Sequence, residues 1–383
     1  MVSGQLVIII ALMIVSATIS YLVLILTEPI KKDIDSDNSQ VNNSESIPIS
    51  VPVLVLKYFP LDSSGTKLDQ TITGMTIDLA TIRSKVNSLN QQGIEKLTIV
   101  TKYHGYKNTV EPSLNYSIFE EKEFLTSIPI SINKVPWNQN TFRPDYTKIL
   151  NDANICDYVD NKGVKQVWVW SYHYGNVEPA EADMAMGTNS QAYWNHGTYG
   201  DVSNSEQTND MPTCQKTYTL YNYNYDRGLG ELLEDHGHQI ESLFSFVDNA
   251  LWSKFKSPNG ELPPTVNHCG WTHSPPNAGD WSGDRGQYDW GDETDVLSDC
   301  EDWKPDGTGT VKTVDCHTWA GNDCDQFTAG KPNEAGVAFK VWWMQNIPGK
   351  NNGLTYDSKS LRNWWEFYGD FDNAMAKGKS LVS

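Results

Sequence analysis

The sequence predicts an α/β fold: a partly parallel sheet with helices, a loop-rich, disulfide-stapled C-terminal half, and one N-terminal transmembrane helix. Three observations carry that expectation. Between residues 51 and 185, short runs of β-branched and aromatic residues alternate with helical spacings, the pattern of strand–helix–strand units. Beyond Pro258 the chain turns to Gly, Pro, Asp and Trp with little regular period. Residues 6–26 carry no charge, and about 20 apolar residues suffice to cross a hydrocarbon core.

Taken in order, residues 1–5 are a short tail and 6–26 the apolar span. The span is longer than the apolar region of a signal peptide and lacks a small-x-small cleavage pattern, so it is expected to stay as a signal anchor. No Lys or Arg precedes it, and Lys31 and Lys32 follow it. Charge alone would therefore hold the bulk of the chain in the cytoplasm. Six cysteines and the sequon Asn115-Tyr116-Ser117 argue for the opposite side, and the expectation is an extracytoplasmic domain. Residues 27–50, rich in Ser, Asn and Asp, read as a flexible linker. Residues 51–383 are the globular part, with an α/β portion at 51–185 and a helix plus Trp/Asp-rich loops at 186–383.

Within that part, Val53 to Phe59 reads as a buried strand. Ile77, Ile82, Val86 and Leu89 recur at helical spacing, with Gly93 placed as a stop, and Leu97 to Val100 reads as a second strand. Pro144 and Asp145 open a helix through Ile149, Leu150, Ile155 and Val159 that Gly163 closes. Val164 to Trp170 is a third strand. Ligands of such sheets gather at the carboxyl ends of the strands, which points to His173, Glu178, Glu181 and Asp183. After a turn-rich excursion from Ala185 to Thr217 comes the stretch Tyr221–Phe255, read as the principal amphipathic helix. At about 100° per residue, Glu234, His238 and Glu241 fall within roughly 60° of one another, joined by Arg227 and Glu231. Leu232, Leu233, Ile240, Leu243, Phe244 and Val247 fall opposite, and His236 goes with them as a core histidine. Gly230 and Gly237 weaken a helix by about 1 kcal/mol each, a cost that suggests close approach by another segment.

Composition narrows the chemistry. The 48 acids against 29 bases leave a net charge of −19, which argues against nucleic acid as a partner. No P-loop, Gly-x-Gly-x-x-Gly or Gly-x-Ser-x-Gly string is present, so nucleotide and serine-hydrolase readings drop out. The six cysteines contain no C-x-x-C pair. That spacing suits disulfides better than zinc, with a bridge expected among Cys300, Cys316 and Cys324. Glu234, His238, Glu241 and Glu181 are the candidate acid, base or ligand groups. Arg227, Glu231, His173, Trp271 and His273 are the candidate substrate contacts, and His268 and His273 could supply metal ligands from a distance. The plain alternative is a solvated helix face with i,i+4 pairs. Asp280, Asp284 and Asp289 are candidate ligands for a divalent cation, calcium first, although their spacing is not that of an EF-hand. The 14 Trp and 18 Tyr could stack on sugar rings beside carboxylates or simply form the core.

The strings Asn224-Tyr225-Asp226-Arg227-Gly228-Leu229-Gly230-Glu231, Gly237-His238-x-x-Glu241, Cys269-Gly270-Trp271-Thr272-His273-Ser274-Pro275-Pro276-Asn277, Cys300-x-Asp302-Trp303 and Asn363-Trp364-Trp365 together resemble an uncharacterised group of secreted or surface microbial proteins. The resemblance covers roughly residues 51–372 and implies an extracytoplasmic location but no activity. Two expectations follow. One is a membrane-anchored hydrolase acting on a glycan or another cell-surface polymer. The other is a non-catalytic, calcium-stabilised surface protein that recognises carbohydrate or protein.

Overall fold

Val53, Leu54, Val55 and Leu56 are all fully buried, because their strand, β1 (Ile49–Tyr58), lies inside a sheet covered on both faces. The computed structural model describes residues 47–135, 138–189, 202, 210–256, 266–278, 288–325 and 334–383. The apolar span at 6–26 lies outside the described residues. Among the described residues no helix is long and apolar enough to cross a membrane.

The main sheet has five strands in the order β2-β1-β5-β7-β6, where β2 is Leu114–Phe124, β5 Gln166–Ser171, β6 Ala182–Ala185 and β7 Tyr218–Asn224. The pairs β1–β2, β1–β5 and β5–β7 are parallel, and β6 closes the edge antiparallel to β7. A separate hairpin joins β3 (Ile130–Val135) and β4 (Asn138–Pro144). Parallel neighbours require crossover connections, and helices α1 (Leu79–Ile99) and α2 (Tyr146–Asp152) stand in two of them. Trp170 on one sheet face donates its indole N–H to Asn90 of α1 at 2.7 Å, while Tyr146 of α2 donates to Asn222 on the other at 3.3 Å. The α/β expectation holds in this form. Edge strand β2 carries Glu120, Glu121, Lys122 and Glu123, charges that discourage pairing with another chain.

Four expected elements are corrected, the first being the helix expected from Pro144 to Gly163, which is α2 ending at Asp152 followed by a separate π-helical turn at Asp157–Asn161. Helix α1 does not stop at Gly93 but runs to Ile99, and Leu97 to Val100, expected as a strand, is its last turn. A Cβ on Gly93 would stand 3.0 Å from Leu232 and 3.3 Å from Trp168, so this glycine is the contact point of α1 rather than its end. The second strand is instead β2. Likewise Tyr221 to Asn224, expected in the long helix, belong to β7, where Tyr221 and Tyr223 alternate with Asn222 and Asn224. The long helix α3 is Leu229–Phe255, broken at Asp248 (φ −157°, ψ 81°), whose carboxylate accepts the Leu251 N–H at 3.1 Å.

The remaining chain packs on this frame through β8 (Val296–Ser298), β9 (Lys312–Val314), α4 (Cys316–Ala320), α5 (Glu334–Asn346), α6 (Trp365–Gly369) and α7 (Phe371–Ala376). All six cysteines pair: Cys156–Cys214, Cys269–Cys300 and Cys316–Cys324. Nine tryptophans between Trp168 and Trp365 are at most 2% exposed, so they are core and not platforms for a sugar. Among the described tryptophans only Trp271 and Trp319 are even half-exposed.

Candidate functional site

Helix α3 starts just past the carboxyl end of β7, with Gly228 as its N-cap, and so its first three turns overlie the end of the sheet where parallel strands stop. Leu232, Leu233, His236 and Ile240 face the sheet and are buried. His236 lies 2.7 Å from the Tyr223 hydroxyl through Nε2, contacts the Tyr368 hydroxyl through Nδ1 and stacks on Tyr221 at 3.8 Å. Complete burial holds this imidazole well below its ordinary pKa, and it is a neutral part of the core.

The other face of α3 is covered, not solvated. Glu234 is 9% exposed because the loop Cys269–Ala278 and helix α5 close over it. Gly237 allows that approach: a Cβ there would come within 2.5 Å of the Thr272 hydroxyl. The Thr272 N–H donates to Glu241 Oε1 at 2.7 Å, and the next residue carries its imidazole into the site. His273 Nε2 stands 2.9 Å from Glu234 Oε1 and 3.0 Å from His238 Nε2. From α5 the fully buried Lys340 places Nζ 3.3 Å from Glu234 Oε2 and 3.6 Å above the Trp290 ring. Glu181, at the start of β6, brings Oε2 to 3.4 Å from His238 Nε2, while Glu241 Oε2 lies 3.4 Å from His238 Nδ1. Arg227 and Glu231 pair at 2.8 Å at the edge.

Burial and charge act in opposite directions here. Burial pushes the Glu234 carboxyl up, but Lys340 and His273 outweigh it and the carboxyl falls to about 2. Burial pushes His238 down, yet Glu241, Glu181 and Glu234 raise it to about 9. Glu231, desolvated and next to Glu234 and Glu181, is pushed up to about 8 against the pull of Arg227. Asp235 is raised well above the carboxylate range, first by burial. The ligand atoms of Glu234, His238 and His273 all lie within 4.8 Å of one another, the spacing at which three side chains can share one metal ion.

Glu181, Glu234, His238, Glu241 and His273 thus form one cluster, with Arg227 and Glu231 beside it. His173 and Trp271 are not among the groups in hydrogen-bonding contact there. His173 Nε2 is buried without a hydrogen-bond partner, and Trp271 lies under Lys256 at 5.7 Å. Asp280 and Asp284 lie outside the described residues. Asp289 is half-buried, its carboxyl raised by burial and by Asp292. Sequence reasoning missed Lys340 and the Thr272 N–H. Lys340 had a signal, as the one charge in the run Ala338 to Ile347, where a lone lysine is buried only if paired. No family model matches the chain, and no curated protein matches its sequence.

Two expected outcomes arise here. Gly237→Ala should lower stability by about 1–3 kcal/mol through overpacking against Thr272, although alanine is the better helix former. Urea denaturation showing equal or greater stability would mean the loop does not need that contact. Burial, Arg227 and Arg143 hold His173 down to about 3. The unfolded chain therefore takes up a proton near pH 6.5 that the folded chain refuses until about pH 3, and stability falls as pH drops through that window. Replacing His173 with Asn should flatten the decline between about pH 6 and pH 5 by roughly 1 kcal/mol per unit, read from urea midpoints. An unchanged slope would assign the decline elsewhere.

Proposed function

We propose that the chain is a hydrolase, anchored at a membrane through residues 6–26, that acts outside the cytoplasm on a cell-surface polymer, a glycan first. The observation that carries this reading is the meeting of Glu234, His238 and His273 beside Glu181 at the carboxyl end of the sheet. Glu181 is the accessible member, with 38% of its side chain exposed, and suits the general base. It takes a proton from water as the water oxygen bonds to the electrophilic centre. The bond to the leaving group then breaks and the leaving group receives that proton, so the elements of one water are added. The charge that polarises the reacting oxygen belongs to the His238–His273–Glu234 group, in a largely water-excluded site where such charge acts strongly. The pairing of all six cysteines supports the oxidising location, as does the resemblance to secreted and surface proteins. The buried tryptophans give no support to stacking on sugars, so the substrate panel should extend to peptides and esters.

The test is turnover of that panel by the full chain and by Glu181→Gln. A loss of about 10²–10⁴-fold is expected for removal of a general base. A folded wild-type chain inert on every substrate, or a variant as active as wild type, would sink the reading.

A further inference from the structure

We propose that Glu234 Oε1, His238 Nε2 and His273 Nε2 hold one divalent ion of the first transition series, zinc fitting best, with an open position facing Glu181. The site itself stands on geometry; only its use in hydrolysis rests on the reading above.

The first argument is atomic. Two Nε2 atoms 3.0 Å apart need one donor and one acceptor between them. Each also faces a carboxylate oxygen, Glu234 for His273 at 2.9 Å and Glu181 for His238 at 3.4 Å. One shared proton serves only one of these approaches at a time, whereas a cation at the centre satisfies the donor lone pairs together. The second argument is size. Metal–nitrogen and metal–oxygen bonds of about 2.0–2.2 Å in a tetrahedron set donor–donor edges of roughly 3.3–3.5 Å, shrinking to about 3 Å at higher coordination. The two ligand edges that meet at His273 are 2.9 and 3.0 Å, at the short end of that range, and all three ligand atoms lie within 4.8 Å of one another.

The surrounding groups orient the ligands as metal sites require. Glu241, itself held by the Thr272 N–H, faces His238 Nδ1. A proton on Nδ1 directed at that carboxylate leaves Nε2 as a lone pair pointing inward, the carboxylate–histidine–metal arrangement. Lys340 occupies Glu234 Oε2 and leaves Oε1 for the ion. Charge agrees in sign: the carboxylates of Glu181, Glu234 and Glu241 surround the imidazoles, against the one buried lysine, Lys340. The imidazole donors select a transition ion over calcium or magnesium, which prefer oxygen. Two histidines and a glutamate with a fourth position for water is a catalytic zinc set. An ion there would lower the pKa of a bound water toward neutrality, and Glu181, 3.4 Å from His238 Nε2, is the carboxylate placed to take that proton.

The full chain, stripped with EDTA and titrated with Co²⁺, should bind one ion and show the strong visible bands of a four- or five-coordinate centre. Zn²⁺ should displace it and millimolar Ca²⁺ should not. Glu241→Gln should weaken binding about 10–100-fold with the stoichiometry kept, and His273→Gln, on the loop, by more than that. No stoichiometric binding, weak octahedral bands, or an affinity indifferent to His273→Gln would overturn the site. The wild-type cobalt spectrum decides even if a variant fails to fold. Turnover that survives stripping would overturn the ion's part in hydrolysis and leave the hydrolase standing. Stoichiometric binding without turnover would support the site and remove the hydrolase.

Discussion

Glu234→Gln and Lys340→Met, made singly in the EDTA-treated chain, should each cost about 3–5 kcal/mol of stability, because each strands a buried charge. Lys340 has no exposed side-chain surface, and its Nζ meets Glu234 Oε2 and the face of Trp290. Without the carboxylate, the ammonium keeps the ring and the more distant Asp235 and Glu231. Without the ammonium, Glu234 keeps His273 and His238 and loses the main influence holding its carboxyl down. The double variant removes both charges and should recover a large part of the loss, since a buried pair is often replaceable by apolar groups of similar size. Urea denaturation of the four chains gives the coupling. Additive losses would show that the two groups do not act as a pair.

Removing the Cys156–Cys214 bridge by a Cys156→Ala/Cys214→Ala double substitution should cost about 4 kcal/mol, by the loop entropy of a 58-residue separation. The same treatment of Cys316–Cys324, which spans 8 residues, should cost about 2–3 kcal/mol. The order matters more than either value. The first bridge ties the segment after α2 to the approach of β7, a central strand, where Asp160 also accepts the N–H groups of Gln215 and Lys216. If the short bridge proved the costlier, stabilisation would come from local packing and not from constraint on the unfolded chain.

Much of the frame was legible because it depends on local pattern. Strands β1 and β5 each contain an unbroken apolar run, Val53 to Leu56 and Val167 to Trp170, and such strands are buried on both faces. The α1 boundary was misread because Gly93 has two uses. A glycine that stops a helix and one that admits a neighbour look alike until Leu232 and Trp168 are in place. At the site, helical periodicity grouped Glu234 with His238 and Glu241 and set His236 apart. It could not say what covers that face, because the cover comes from residues 272, 273 and 340, some 31 to 106 positions away by subtraction from Glu241 and Glu234. The aromatic count misled toward sugar recognition, since tryptophans that fill a core and tryptophans that line a groove have the same composition.

The centre has a seam. Glu234, His238 and Glu241 ride on one helix, whereas His273 arrives on a loop clasped at its root by Cys269–Cys300. Scission of that clasp touches no main-sheet strand and removes the covalent tie on the segment delivering one imidazole, which then keeps only its hydrogen bonds. His273 is therefore the member of the cluster whose placement depends on a covalent bond outside the helix. Reduction of Cys269–Cys300 would bear first on the loop-borne imidazole and not on the three members that share a helix.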